Sequence, residues 1–193
     1  MSAVLDHPLT LEAFLAWEST QSGRHEFHAG EVFAMVGARR THGRVVSNLN
    51  AAFFNALRGG PCQVFAEGMK LQVADDTILY PDVFVTCDKA DLATEQVFRA
   101  PSVVVEVLSP STQAYDRSAK FAFYRRLASL REYVLVDPDT RRVESFRRGE
   151  GDVWTFHDMS DDAAVRIACL DIALPIADVF DGIEPPAGPA AAG

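Results

Sequence analysis

Residues 101–108, Pro-Ser-Val-Val-Val-Glu-Val-Leu, constrain the fold more than any other stretch of this chain. A short, almost continuous β-branched run reads as a strand buried on both faces, as in the middle of an α/β sheet. Glu106 interrupts that run. An unpaired carboxylate there would cost on the order of several kcal/mol, so it must be paired, hydrogen-bonded, metal-bound or turned toward a cleft. Its place near the strand's C-terminal end, just before Ser109-Pro110, suits a cleft. A buried Glu–Arg pair is the alternative.

The neighbouring segments supply a sheet for this strand. Tyr133–Val136 is a second buried strand, and residues 112–128 between the two carry Ala119, Phe123 and Leu127 at helical spacing. A strand–helix–strand unit of this kind returns the chain parallel to the first strand. Further upstream, Thr41–Arg58 is the clearest helix, with Thr41 as expected N-cap and Gly59-Gly60-Pro61 as stop. Extended segments follow at Cys62–Ala66, Met69–Val73 and Ile78–Thr86. The first helix is expected over Thr10–Glu18, and a hairpin over Arg24–His28 and Glu31–Val36 about Ala29-Gly30. A second hairpin is expected at Arg142–Arg147, with weaker strands near 153–157 and 165–168. The fold class predicted is α/β, a central mixed sheet flanked by helices with additional hairpins.

A length of 193 residues suits one domain, taken as 1–183, and the Pro/Ala/Gly end 184–193 is expected to be a disordered tail. The segment MSAVLDHPLTLEAF has no basic stretch leading into an apolar one, and no run approaches the roughly 20 residues of a membrane helix. A cytoplasmic protein with no membrane contact is expected. The three cysteines, Cys62, Cys87 and Cys169, are widely spaced and read as packed small side chains, with no disulfide and no zinc site. The net charge of −9 argues against a protein that grips nucleic acid by blanketing phosphates with positive charge. It leaves room for a carboxylate-rich site that waits for metal. Nine arginines and lysines between Arg117 and Arg148 could make a basic surface, although a solvated face explains any single pair of them.

Asp82 stands between Pro81 and the apolar Val83-Phe84-Val85. Two carboxylates on consecutive core strands offer oxygens to a hard cation such as Mg²⁺ or Mn²⁺. His25 and His28, three apart in a strand, point to opposite faces and do not suggest zinc.

Pro81-Asp82, a spacer, and then Glu106-Val107-Leu108 on a valine-rich strand resembles the PD-(D/E)xK nuclease superfamily. More narrowly, the chain resembles the Uma-type family of restriction-endonuclease-like proteins of unknown function. The likeness runs from Leu9 to about Asp181 through His25-Glu26-Phe27 with Gly30-Glu31, His42, Asn48-Leu49, Pro81-Asp82-Val83 and Val105–Thr112. It continues through Asp116, Lys120, Tyr124, Glu132-Tyr133 and Val136-Asp137-Pro138. The resemblance implies a restriction-endonuclease-like core and metal-dependent hydrolysis of nucleic-acid phosphodiesters, with DNA the expected substrate. Asp82, Glu106 and the Val107 carbonyl would hold the metal, and Glu26 would add a carboxylate. The superfamily lysine is missing, because position 108 is leucine; Lys120 is the expected replacement, with Lys70 the alternative. His42, Asp116 and Tyr124 are expected to support site or substrate, and a homodimer would bring two sites to two strands. A catalytically silent nucleic-acid-binding module on the same fold is the competing reading, and a small-molecule phosphodiesterase a third.

Overall fold

In the computed structural model, which describes residues 9–35 and 37–184, the chain opens with helix α1 (Leu11–Glu18). Thr10 Oγ1 caps it by accepting the Ala13 amide at 3.2 Å. Strands β1 (His25–His28) and β2 (Glu31–Ala34) pair antiparallel about Ala29 and Gly30. Both turn residues have positive φ, 49° and 90°, as a two-residue hairpin turn requires. The strand stops at Ala34; Val36, its expected end, lies outside the described residues.

Helix α2 (Arg40–Leu57) starts one residue before the expected cap. Arg39 occupies the N-cap position without a side-chain hydrogen bond, and Thr41 belongs to the first turn. Strands β3 (Gln63–Ala66), β4 (Lys70–Ala74), β5 (Thr77–Leu79) and β6 (Val83–Thr86) follow. The extended stretch expected over 78–86 is therefore two strands. They separate at Tyr80-Pro81-Asp82, where proline cannot donate to a ladder. Next come β7 (Val97–Phe98) and β8 (Pro101–Val107).

Helix α3 (113–124) has a π-helical turn, Asp116–Lys120, between two short α-helical pieces, and ends four residues before the expected Ala128. Strands β9 (Glu132–Asp137), β10 (Arg142–Arg148), β11 (Trp154–Asp158), β12 (Ala164–Ile167) and β13 (Ile172–Pro175) lead to helix α4 (Ile176–Val179). From residue 185 on, the expected tail falls outside the described residues.

Six strands form the main sheet in the order β11-β10-β9-β8-β6-β3. Its β8–β9 pair is parallel, as the α3 crossover demands. A five-stranded sheet, β2-β1-β5-β4-β7, and the β12–β13 hairpin complete the strands. Side chains alternate across the main sheet. Val83, Val85, Val103, Val105 and Val107 pack with Val45, Leu49 and Phe53 of α2. Phe84, Val104, Leu108 and Leu135 face the other way, toward Tyr124 of α3.

One expectation needs correction here. Cys62 and Cys87, one step beyond the Gln63–Thr86 pair of the β3–β6 ladder, form a disulfide with Cα atoms 4.0 Å apart. Their proximity arises from strand pairing, which spacing in the sequence does not reveal. In the arginine-rich third, part of the charge is spent on structure. Arg148 donates to the carbonyls of Arg125, Leu127 and Leu130, and Arg147 to that of Arg166. Arg117 pairs with Glu144 and Arg142 with Asp158. No helix among the described residues is long and apolar enough to cross a membrane.

Candidate active site

The antiparallel register that pairs Val83 with Val105 places Asp82 opposite Glu106, at the point where β6 begins and β8 nears its end. The Asp82 amide lies 3.4 Å from Glu106 Oε2, and the Val107 amide donates to Asp82 Oδ2 at 2.7 Å. Glu106 shares the face of Val104 and Leu108, so it meets α3 rather than α2. There Tyr124 OH donates to Glu106 Oε1 at 2.8 Å and Lys120 Nζ donates to the same oxygen at 3.1 Å. The cation beside Glu106 is thus a lysine, in place of the arginine considered from sequence. Leu108 is 2 % exposed and fills core space, leaving the usual lysine position of the superfamily to packing.

Lys120 gathers more than one acid. Its ammonium also lies 3.4 Å from Glu26 Oε1 and 3.5 Å from Asp116 Oδ1. The π turn places Asp116 and Lys120 on the same side of α3, one turn before Tyr124. Glu26 is buried, not solvated as a hairpin glutamate usually is, and the Tyr80 amide donates to it at 3.3 Å. His42, in the first turn of α2, brings Nε2 to 3.2 Å from Asp82 Oδ2. The ring of Tyr115 covers the Lys120 ammonium from 5.9 Å.

Lys70 stands over the Tyr80 ring at 5.8 Å and is absent from this cluster. His25 is held by Glu18 and His28 by Thr77, each through Nδ1 at 2.9 Å, so the two histidines serve separate hydrogen bonds. Tyr80 and Tyr115 had no signal in the sequence. They reach the site only through the strand break at Pro81 and the start of the π turn.

Electrostatics separates the two carboxylates. Burial opposes ionisation of Asp82, but the hydrogen bond and charge of His42, with Lys120 behind them, hold its carboxyl below the ordinary value. Burial pushes Glu106 well above the usual carboxylate range; Lys120 works against that, and Asp82 and Asp116 work with it. Asp116 is raised chiefly by burial. For Lys120 burial favours the neutral amine, yet Glu106, Glu26, Asp116 and Asp82 together raise it well above its free value. Four carboxylates thus share one ammonium. Asp116 Oδ1 is buried without a hydrogen-bond partner, its nearest cation being Lys120. So many buried carboxyl oxygens about one ammonium suit a divalent cation that would take the place of the protons burial holds on them. Among the described residues no three His, Cys, Asp or Glu side chains form a metal-holding group. Ligation would therefore rest on the Asp82–Glu106 pair and a main-chain oxygen.

The sequence profile of the Uma2 family, described as "putative restriction endonuclease", matches residues 11–177. The chain belongs to the Uma2 family. Two curated relatives, both from Synechocystis sp., span it. The uncharacterized protein slr1290 is 31% identical over 176 residues, covering 91% of this chain and 93% of that protein. The uncharacterized protein sll1609 is 29% identical over 168 residues, covering 85% and 95%. A crystal structure from Anabaena variabilis, described as a putative nuclease belonging to DUF820, superposes with a TM-score of 0.75 at 20% identity. It covers 92% of this Uma2 chain and all of that one, and so shows that the two share a fold.

Proposed function

We propose that this Uma2 protein hydrolyses phosphodiester bonds of nucleic acid, DNA in the first instance, with Mg²⁺ or Mn²⁺. The observation that carries the reading is the placing of Asp82 opposite Glu106 with the Lys120 ammonium bonded to Glu106. Asp82, Glu106 and the Val107 carbonyl would hold the metal. When bound, the metal lowers the pKa of a coordinated water and neutralises charge on the phosphoryl group. The protein's own contributions are distinct. Lys120 presents a fixed positive charge to the phosphate or to the attacking water's oxygen. Tyr124 and Asp116 keep that ammonium and Glu106 in place. His42 orients Asp82, and Glu26 holds the far side of Lys120. Two such subunits in a symmetric homodimer would bring one site to each strand of a duplex.

Two observations favour a second reading, a nucleic-acid-binding module without catalysis. The carboxylates already have an ammonium among them, and the net charge is −9. Incubation of mixed DNA and RNA substrates with Mg²⁺ or Mn²⁺ separates the two. Cleavage by wild type and none by Asp82→Ala is expected; binding without cleavage under both metals supports the silent module.

A further inference from the structure

All three cysteines of the chain line one cavity of about 590 Å³, on the far side of the β3–β6 ladder from Asp82. The walls come from the end of α2 (Leu57, Arg58), the Gly60-Pro61 turn and residues 168–172. Cys62 and Cys87 are bonded to each other, and Cys169 carries the free thiol. The disulfide fastens β3, the edge strand of the main sheet, to β6. At the other end of the same ladder the Glu67 amide donates to the Asp82 carbonyl at 3.0 Å.

We propose that this cavity is a site of thiol–disulfide exchange, in which a low-molecular-weight thiol enters and reversibly opens the Cys62–Cys87 fastening of the edge strand. A bridge lining an open cavity is within reach of such a reagent, unlike one sealed in the core. The chemistry balances with two thiols. The first thiolate attacks Cys62 Sγ, forms a mixed disulfide and expels Cys87 as thiolate, which takes a proton. The second attacks the mixed disulfide at the reagent's sulfur, releasing Cys62 as a thiol and leaving the reagent oxidised as its own disulfide. The Ser102 hydroxyl, 3.8 Å from Cys87 Sγ, donates toward the sulfur that leaves. Arg58 lines the cavity, and its guanidinium lies over the Phe54 ring at 5.4 Å.

Cys169 does not serve as the attacking group. Its amide donates to buried Glu132 at 2.8 Å, and although the side chain reaches the surface, partial desolvation beside that carboxylate's charge pushes the thiol up to about 12. A group so seldom ionised near neutral pH leaves the bridge unscrambled. The inference stands apart from the nuclease reading, since it concerns neither Asp82–Glu106 chemistry nor metal.

The test uses the full, air-oxidised chain in graded ratios of reduced to oxidised glutathione, without denaturant. Samples are acid-quenched, then alkylated under denaturing conditions and weighed. Free thiols should rise from one to three as reduced glutathione increases. Exchange of amides 63–67 with deuterium should quicken in parallel, and the Tm should fall on the order of 5–10 °C. Cys169→Ser should open over the same ratios. In Cys87→Ser a glutathione adduct should collect on Cys62. A bridge that opens only in urea, three free thiols at every ratio, or exchange at 63–67 indifferent to redox state would each overturn the proposal. Loss of opening in Cys169→Ser would overturn the external-thiol route.

Discussion

With its ammonium 3.1 Å from Glu106 and within 3.5 Å of Glu26 and Asp116, Lys120 can stabilise developing charge but cannot ligate a metal. Lys120→Ala should therefore abolish cleavage while leaving divalent-metal binding nearly intact. Calorimetric titration beside a cleavage assay checks both halves, and full activity in the variant would move the catalytic cation elsewhere, Lys70 first. Lys120→Arg should rescue poorly, because a planar guanidinium does not reproduce a compact charge inside a cage of acids. The raised Glu106 carboxyl sets a pH dependence. Between its ordinary value and its raised folded value the folded state holds a proton that the unfolded state has lost. Without metal, this group's effect is a fall in stability as pH climbs from 4.5 through that window. The raised His42 acts in the same direction, since its contribution is complete below 6.5 and fades as pH passes its folded value. Lowered Asp82 acts oppositely and only in acid: its contribution is present above 3.8 and is lost as pH falls through its folded value. Urea denaturation across this range should show Glu106→Gln with a flatter fall than wild type; an identical slope would contradict a buried, proton-holding Glu106.

Two elements place these groups, β8 by its side-chain parity and α3 by its π turn. How α3 is anchored is itself testable. Arg148 on β10 donates to three carbonyls in the connection from α3 to β9. Arg148→Ala strands those acceptors and should cost about 2–4 kcal/mol in urea denaturation. Arg148→Lys should recover only part, and a change below about 0.5 kcal/mol would show that the carbonyls find water instead. This level also explains what could be read from sequence. Strand β8 and its carboxylate were legible because a β-branched run is unambiguous and a lone acid within it is anomalous. The grouping of Asp116, Lys120 and Tyr124 was legible because four-residue spacing survives on one helix face, even through a π turn. The break of residues 78–86 into two strands was legible only in part, since Pro81 allows either a strand that becomes regular after it or a strand at a sheet edge. The His42–Asp82 contact and the Cys62–Cys87 bridge arise from pairings across 40 and 25 residues, which local pattern does not encode. The arginines were only half legible. Their charge is visible in sequence, but the carbonyls and acids that absorb it are not.

At the scale of the molecule, net charge −9 means that any grip on nucleic acid is local and strongly salt-sensitive. The homodimer proposed above predicts a scattering mass twice the 21.1 kDa of one chain at micromolar concentration, and a monomer throughout that range would remove it. The central claim, that Asp82 and Glu106 form a divalent-metal site, is independent of substrate and of assembly. It is tested most directly by titrating Mn²⁺ into wild type and into the isosteric double variant Asp82→Asn, Glu106→Gln while following unfolding. At a hundred times its dissociation constant, the metal should stabilise wild type by about 2.7 kcal/mol. The double variant should gain almost nothing. Equal stabilisation of both proteins, or of neither, would contradict the account.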